Sequence, residues 1–277
     1  MRRALNRDSG PADHLLARCV LLLCAVLMLL AGCTGLSQPP ANGTDVIGAK
    51  VISLPGGAFP LHATERTGTG AHAQVFIEGD GRPWRAGGRI ISDDPTPHNT
   101  PMLEWMLRTP APALYLGRPC YFRKTAPGCH PLLWTYSRYS KTVVDSMHSA
   151  LLHWLEQHPH IDELTLTGHS GGGVLALLLA ERIPQARTVL AIATPVDIDA
   201  WADLHGYGRL FHSLNPASQA DWRTDVTRLL VFGQKDAQVP PKVFAAVASS
   251  IPGVQVRIVE GAGHDCCAGY ESVMPSR

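Results

Sequence analysis

The chain has 277 residues, of which 45% are hydrophobic and 17% are charged. This composition is typical of a globular protein, and the length suffices for one large domain with a substantial buried core. The 24 basic and 23 acidic side chains give a formal net charge of +1, so the sequence offers no electrostatic basis for binding nucleic acid.

Residues 1–32 have the layout of an export signal. Arginines precede an apolar run over residues 19–30, and two small residues, Ala31 and Gly32, follow it. The run is shorter than the roughly 20 residues that a transmembrane helix needs. We therefore expect a signal peptide that is removed on export, and not a permanent membrane span.

Residues 29–33, with the sequence LLAGC, resemble the lipobox of bacterial lipoproteins. The resemblance implies that Cys33 becomes the acylated first residue of the mature protein, with palmitate-like chains that anchor it in a membrane of the cell envelope. Thr34 follows, and the lack of Asp at this position favours the outer membrane, facing the periplasm, over the inner membrane. An ordinary secretory signal with a nearby cysteine is the alternative. Residues 33–48 lack periodic hydrophobicity and predict a lipidated tether.

Residues 49–277 predict a single domain of the α/β class. Helical stretches separate most of the later β-rich runs, and residues 140–157 carry apolar side chains at helical spacing. Strands that alternate with helices imply a mainly parallel sheet of about eight strands with helices on both faces. The first two runs would form an antiparallel pair. The predicted strands are 49–54, 59–64, 73–78, 113–117, 163–167, 188–193, 228–232 and 254–259.

Two long excursions interrupt this alternation, and we expect them to shape a substrate site. Residues 81–112 are rich in proline and polar side chains, and residues 195–225 are rich in aromatic ones. Long connections after strands often form binding sites. The rings of the second excursion suit a partly apolar cavity wall, or else they pack the excursion against the domain. They are Trp201, Tyr207, Phe211 and Trp222, with His205 among them.

Four cysteines remain in the predicted domain, and export to an oxidising compartment favours disulfides. We expect Cys120 to pair with Cys129, because a bond between the adjacent Cys266 and Cys267 would strain the backbone. Closing a loop of about ten residues stabilises by roughly 2.7 kcal/mol. A zinc site is the rival interpretation, but the cysteine and histidine spacings do not support it.

A candidate nucleophile follows the strand predicted at 163–167. Gly168-His169-Ser170-Gly171-Gly172 has the Gly-x-Ser-x-Gly pattern, and the residues after it have strong helical character. A serine on a tight turn from strand to helix adopts strained backbone angles, and small neighbours allow the helix to pack close to the strand. The pattern therefore predicts that the hydroxyl of Ser170 is exposed at the end of the sheet.

A serine nucleophile needs a general base, and that base needs an acid to orient it. Asp236 follows the strand predicted at 228–232, and His264 follows the strand predicted at 254–259. Both side chains would therefore lie at the same end of the sheet as Ser170. Asp197 or Asp199, one strand earlier, is the rival acid. His169 is expected to be a pocket residue, since it occupies the variable position of the turn.

The elbow at Ser170, the turn at 233–240 and the Gly-x-Gly-His sequence that ends at His264 together resemble the α/β-hydrolase superfamily over about residues 50–270. The resemblance implies that Ser170 is the nucleophile, Asp236 the triad acid and His264 the base. It also implies an oxyanion hole formed by the backbone N–H groups of Gly171 and Asp80. Glu78 stands where the superfamily usually has a histidine in this loop.

The resemblance therefore predicts a serine hydrolase of the carboxylesterase or lipase type, class EC 3.1.1, that acts on a small or medium acyl ester through an acyl-serine intermediate. A serine peptidase or amidase of the same fold is the alternative enzyme. A non-catalytic envelope-binding lipoprotein is the alternative without enzymatic activity. The sequence gives no indication of a metal or an organic cofactor.

Overall fold

A computed structural model describes residues 48–122, 127–267, 269–270 and 273. The predicted signal peptide, Cys33 and the tether up to residue 47 lie outside the described residues, so the structure does not test these predictions. Within the described part of the chain, no helix combines the length and the apolar character needed to cross a bilayer.

Ten strands form two sheets among the described residues. The larger sheet has eight strands in the order β1-β2-β6-β3-β7-β8-β9-β10, and β4 and β5 form a separate hairpin. The strands β1, β2 and β6 pair antiparallel, and every pairing from β6 through β10 is parallel. The strands are β1 (Lys50–Gly56), β2 (Phe59–Arg66), β3 (His72–Ile77), β4 (Trp84–Arg85), β5 (Ile90–Ile91), β6 (Ala113–Leu116), β7 (Glu163–His169), β8 (Ala186–Ile192), β9 (Thr227–Gly233) and β10 (Val254–Val259).

The eight predicted runs are the eight strands of the larger sheet, and the mainly parallel α/β architecture is confirmed. Their ends differ from the predictions by at most two residues. For example, β7 continues through His169, two residues beyond its predicted end. Alternate side chains of β3, β6, β8 and β9 enter two separate cores. Val75 and Ile77 lie in the core on one side of the sheet, and Phe76 lies in the core on the other.

Five α-helices accompany the sheet in the described residues. Ser140 begins the longest of them by accepting the N–H of Val143, and its apolar side chains recur at helical spacing as predicted. The helix that follows Ser170 is apolar on all sides because it is buried between β7, β8 and neighbouring elements. The helices are α1 (Pro101–Arg108), α2 (Lys141–Gln157), α3 (Gly171–Ala180), α4 (Ile198–His205) and α5 (Pro241–Ser249).

The two excursions contain structure that the sequence did not predict. The first includes the hairpin β4–β5 and the helix α1, and the second includes α4 and a short 3-10 turn. Both leave the sheet at the carboxyl ends of strands, β3 and β8 respectively. They are therefore placed on the side of the sheet from which the candidate site residues emerge.

The described domain contains two disulfides. Cys120 is bonded to Cys129, the pair that the sequence argument selected. Cys266 is bonded to Cys267 as well, so the expectation that adjacency would keep this pair apart is wrong. The peptide bond between these two residues is cis, and their Cα atoms are 3.0 Å apart.

Candidate active site

Ser170 lies on the turn between β7 and α3. Its backbone has φ 52° and ψ −122°, a conformation that L-residues other than glycine rarely adopt. Hydrogen bonds on both sides fix this turn: Ser170 N–H donates to the carbonyl of Ile192, and Gly173 N–H donates to the carbonyl of Ser170. The serine is therefore held at the carboxyl end of the parallel strands.

Two glycines allow α3 to approach the sheet closely enough to form this turn. A Cβ on Gly172 would collide with the backbone carbonyls of Ile77 and Glu78, and a Cβ on Gly168 would collide with the backbone of Gly172. Backbone atoms at these positions cannot rotate away as a flexible side chain would. The Gly-x-Ser-x-Gly pattern thus has the steric basis that the sequence argument assigned to it.

Ser170, His264 and Asp236 form a continuous chain of hydrogen-bonding groups. His264 Nε2 is 3.2 Å from Ser170 Oγ, and His264 Nδ1 is 2.9 Å from Asp236 Oδ2. The three residues follow β7, β10 and β9, whose carboxyl ends lie along the same edge of the sheet, with β8 between β7 and β9. A proton on Nδ1 shared with Asp236 leaves Nε2 as an acceptor for the Ser170 hydroxyl.

The carboxylate of Asp236 is buried and fixed in place. Its Oδ1 accepts the N–H groups of Gln238 and Val239, each at 2.8 Å. Burial alone would raise the pKa of this group, but the hydrogen bonds from His264 and from these backbone groups hold it below the ordinary value. Asp236 therefore stays ionised and can orient His264 throughout the neutral range.

The rival acids are engaged elsewhere. Asp197 caps α4 by accepting the N–H groups of Asp199 and Ala200. Asp199 accepts from the side chain of Asn215 and faces Arg209. Of the three candidate acids, Asp236 is the one that the structure brings into contact with His264.

The side chain of His169 contacts the backbone of His264, the candidate base. Its Nε2 is 2.7 Å from the carbonyl oxygen of His264, and this nitrogen must carry the hydrogen because a carbonyl only accepts. Burial, followed by the nearby His264, lowers the pKa of His169 to about 4, so the ring is neutral near pH 7. His169 also lines the cavity described below, which agrees with its predicted position as a pocket residue.

The loop after β3 runs beside the nucleophile. A Cβ on Gly79 would lie 3.6 Å from the Cβ of Ser170. Gly171 is the first residue of α3, so its N–H has no intrahelical carbonyl to bond. The Asp80 N–H makes no hydrogen bond to any other residue in the described ranges. Among the described residues, neither N–H is thus committed to a backbone acceptor, which is what an oxyanion donor requires.

A buried network that the sequence did not reveal surrounds Asp80. Its carboxylate bonds Arg118 Nη1 at 2.7 Å and Arg138 Nη1 at 2.8 Å, and it accepts the Tyr139 hydroxyl. Tyr121 donates its hydroxyl to the Asp80 carbonyl. Burial opposes ionisation, but the two guanidinium groups hold the pKa of Asp80 far below its ordinary value. These partners immobilise the loop that carries the proposed oxyanion donor.

Glu78, in the place of the usual histidine, supports the first excursion. Its Oε1 accepts the backbone N–H groups of Met102, at 2.8 Å, and Leu103, at 3.4 Å, at the start of α1. Burial raises the pKa of this carboxyl group to about 7 despite these bonds. Glu78 thus connects the loop beside Ser170 to the helix within residues 81–112.

An open cavity of about 1310 Å³ adjoins Ser170 and His264. Both excursions contribute to its wall, and Tyr136 contacts a ring of each: it makes a T-shaped contact with Trp84 and is stacked on Phe211. Polar groups are interspersed among the rings. The aromatic lining residues are Trp84, Tyr136, Trp201 and Tyr207, and the charged ones include Arg82, Glu104, Arg138 and Asp265.

The arginines and tyrosines around Asp80 are the site residues that sequence reasoning missed. Arg118 and Arg138 lie 38 and 58 positions away from Asp80 along the chain. The position of Arg118 could have indicated a role in the site. It lies two residues after the end of β6, and therefore at the carboxyl end of a strand. In the ranges that the structure describes, no cluster of three or more His, Cys, Asp or Glu side chains is arranged to hold a metal ion.

Comparisons with known proteins agree with this architecture. The family model for lipase (class 3) matches residues 119–198, a segment that contains the serine turn. An esterase of Pyrococcus furiosus superposes with a TM-score of 0.58 at 11% identity, over 82% of this chain and 87% of the esterase. A proline iminopeptidase-related protein of Thermus thermophilus gives 0.56 at 15% identity, over 81% of this chain and 95% of that one.

An alpha-beta serine hydrolase homologue of Coxiella burnetii gives a TM-score of 0.51 at 19% identity, over 81% of this chain and 91% of that one. No curated protein matches the chain by sequence. At these identities the structural likeness establishes the fold. The chain has the α/β-hydrolase fold, as its sequence motifs implied.

Proposed function

We propose that the protein is a serine hydrolase that cleaves a small or medium acyl ester through an acyl-serine intermediate, an activity of the carboxylesterase class. The observation that supports this most directly is the hydrogen-bonded series Ser170, His264 and Asp236 beside an open cavity. The strained backbone of Ser170 is a second support, because strain persists at positions where function requires the geometry.

In the proposed reaction, His264 Nε2 takes the proton of Ser170 as Oγ attacks the ester carbonyl. The N–H groups of Gly171 and Asp80 stabilise the resulting oxyanion, and each such donor can contribute about 3 kcal/mol to catalysis. His264 then returns the proton to the departing alkoxide, which leaves an acyl-serine. A water molecule, deprotonated by the same histidine, attacks that ester; the bond to Ser170 Oγ breaks, His264 returns the proton to Oγ, and the carboxylic acid is released.

An ester is favoured over an amide by the matches to the lipase (class 3) model and to an esterase of Pyrococcus furiosus. A peptidase or amidase remains the alternative enzyme, favoured by the match to a proline iminopeptidase-related protein. The cavity is open and mixed in polarity, which suits a small or medium acyl group.

The test is hydrolysis of p-nitrophenyl esters of increasing acyl length, beside the matching p-nitroanilides, by the full-length protein in detergent. Ser170→Ala serves as the control. We expect ester hydrolysis that is lost in the variant, together with fluorophosphonate labelling of the wild type alone. Activity confined to the anilides would establish the amidase alternative. Absence of both turnover and labelling would favour a binding lipoprotein.

We also propose that the protein is lipid-anchored through Cys33 in the outer membrane, facing the periplasm. The lipobox-like sequence at residues 29–33 and Thr34 support this placement. Metabolic labelling with an alkyne analogue of palmitate should mark the wild type, and Cys33→Ala should lose the label and leave the membrane fraction. Labelling that persists in the variant would contradict the assignment of Cys33.

A further inference from the structure

Arg138 is a buried cation whose hydrogen bonding is incomplete. Its side chain is 6% exposed, and it lines the cavity that contains Ser170. Nε donates to the carbonyl of Thr135 at 2.6 Å, and Nη1 donates to Asp80 at 2.8 Å. Nη2 has no partner among the described residues, yet it is not one of the fully enclosed unpaired atoms. Because Nε and Nη1 are occupied, Nη2 is the nitrogen that remains for a molecule bound in the cavity that Arg138 lines.

The charges around Arg138 do not balance. Arg118 and Arg138 share the single carboxylate of Asp80, and the side chain of Arg118 is also buried, at 4% exposure. Glu78 uses its carboxyl group to cap α1, and its raised pKa of about 7 reduces its charge. A buried cation without a full complement of anionic partners is costly. One further anion would complete the cluster.

Acids on the cavity wall do not supply that anion. Glu104 and Asp265 line the cavity, but both are exposed, where solvent screens their charges. No hydrogen bond or ion pair joins either of them to Arg138 in the part of the chain that the structure describes. The cavity-facing side of the guanidinium is accordingly left for a bound molecule.

The cluster lies next to the proposed reaction centre. A Cβ on Gly171 would collide with Asp80 Oδ1, so this carboxylate contacts the residue that directly follows Ser170. The other oxygen of the same carboxylate holds Arg138. The guanidinium is thus separated from the serine turn by one carboxylate group.

We propose that Arg138 binds a carboxylate of the substrate, a few atoms from the scissile ester, so that the preferred substrates are anionic esters. The free Nη2 carries N–H donors and part of the positive charge, and charge-assisted hydrogen bonds from such a group to a carboxylate are among the stronger ones in proteins. This inference rests on the proposed function and adds a substrate class to it.

The test compares matched pairs of esters, one with a free carboxylate and one in which a methyl group removes that charge. p-Nitrophenyl hemiglutarate and its methyl ester place the carboxylate or its neutral counterpart on the acyl side, and 4-acetoxybenzoate and its methyl ester place them on the leaving group. In at least one pair, the wild type should favour the anion by about tenfold or more in kcat/KM. Absence of a preference in both pairs would overturn the proposal.

Arg138→Gln also removes one partner of Asp80, so kcat/KM should fall for both esters of a pair, but it should fall further for the anionic ester, so that the preference is lost. Arg138→Lys, which retains the charge, should restore part of the preference. Arg85→Gln is the matched control, because Arg85 pairs with Asp93 on the surface and does not line the cavity. An equal loss for charged and neutral esters in a folded Arg138→Gln protein would show that the arginine only supports Asp80, and would overturn the proposal.

Two measurements keep the result decisive if that variant fails to fold or if turnover is absent. The wild-type ratio for each pair requires no variant. Calorimetric titration of Ser170→Ala with the same esters measures binding without hydrolysis, and the charged ester should bind about tenfold more tightly than the neutral one. Equal binding would overturn the carboxylate site. If the wild type showed no hydrolysis that depends on Ser170, the proposed function would be overturned instead.

Discussion

His169 donates its Nε2 hydrogen to the carbonyl oxygen of His264, 2.7 Å away. This bond links the end of β7, where the candidate nucleophile lies, to the loop after β10, which presents the candidate base. The ring of His169 is neutral near pH 7, since its pKa is about 4, and the bond does not require a charge. The position of His264 is therefore set at its side chain by Asp236 and at its backbone by His169.

His169→Phe removes the backbone contact and retains a ring of similar size. We expect kcat to fall about ten- to a hundredfold, because small displacements of a catalytic group are costly, while KM changes little. Steady-state kinetics with a neutral p-nitrophenyl ester measures both constants. His148→Phe, on α2 and outside the cavity lining, is the control. An unchanged kcat in His169→Phe would show that the rest of the loop is sufficient to place His264.

Asp236→Asn should lower kcat by about 10⁴-fold, because the amide cannot hold the Nδ1–H tautomer of His264 that the reaction needs. Asp197→Asn makes the same chemical change at a rival position. Asparagine also caps helices well, so the helix α4 and the activity should be retained. If Asp197→Asn were the inactive variant and Asp236→Asn the active one, the acid would have been assigned to the wrong strand.

Glu78→Gln isolates the effect of pH on a buried carboxyl group. The folded-state pKa is about 7 and the ordinary value is 4.5, so between these pH values the unfolded chain is ionised while the folded protein is not. Raising the pH through this window therefore lowers the free energy of unfolding of the wild type. The glutamine variant lacks this dependence.

The stability of Glu78→Gln relative to the wild type should accordingly increase by roughly 3 kcal/mol between pH 4.5 and 7, and then remain constant. Urea unfolding of both proteins at a series of pH values gives the difference. A constant difference across the window would mean that the Glu78 carboxyl group has the same pKa in the folded protein as in the unfolded chain, and the opposite trend would mean that its folded-state pKa is lowered.

Gly172→Ala should destabilise the protein by about 3 kcal/mol or more, since the new methyl group meets the backbone carbonyls of Ile77 and Glu78. Gly263→Ala is the control, because no atom lies within 4 Å of the added Cβ and its φ is not positive. Denaturant titration compares the two variants. Equal stabilities would mean that α3 can move away from β3 at little cost.

The parts of the fold that local patterns specify were predictable from the sequence. Each strand of the larger sheet is a short apolar run between turn residues. The serine turn requires small residues at Gly168 and Gly172 for steric reasons, and this requirement is visible in a sequence of five residues. The order of Ser170, Asp236 and His264 along parallel strands likewise indicated that they would meet at one end of the sheet.

Long-range pairings were not predictable in the same way. The bonds from Arg118 and Arg138 to Asp80 depend on tertiary structure and leave no periodic signal in the sequence. The helix α1 was not predicted, because residues 81–112 are rich in proline. The first residue of α1 is itself a proline, as is common at helix starts. The Cys266–Cys267 bond was not predicted, because a bond between adjacent residues was expected to strain the backbone.

The contact from Glu78 to α1 bears on how this domain can acquire new selectivity. The proposed catalytic groups follow strands of the sheet, whereas much of the cavity wall belongs to residues 81–112 and 195–225. The second excursion can be exchanged for a homologous segment without touching Glu78. An exchange of the first excursion must also supply two N–H groups in place of those of Met102 and Leu103. Grafting of the first excursion must therefore be designed together with Glu78, whereas grafting of the second must preserve other contacts, such as those of Leu214 with Tyr139 and of Arg223 with Glu181.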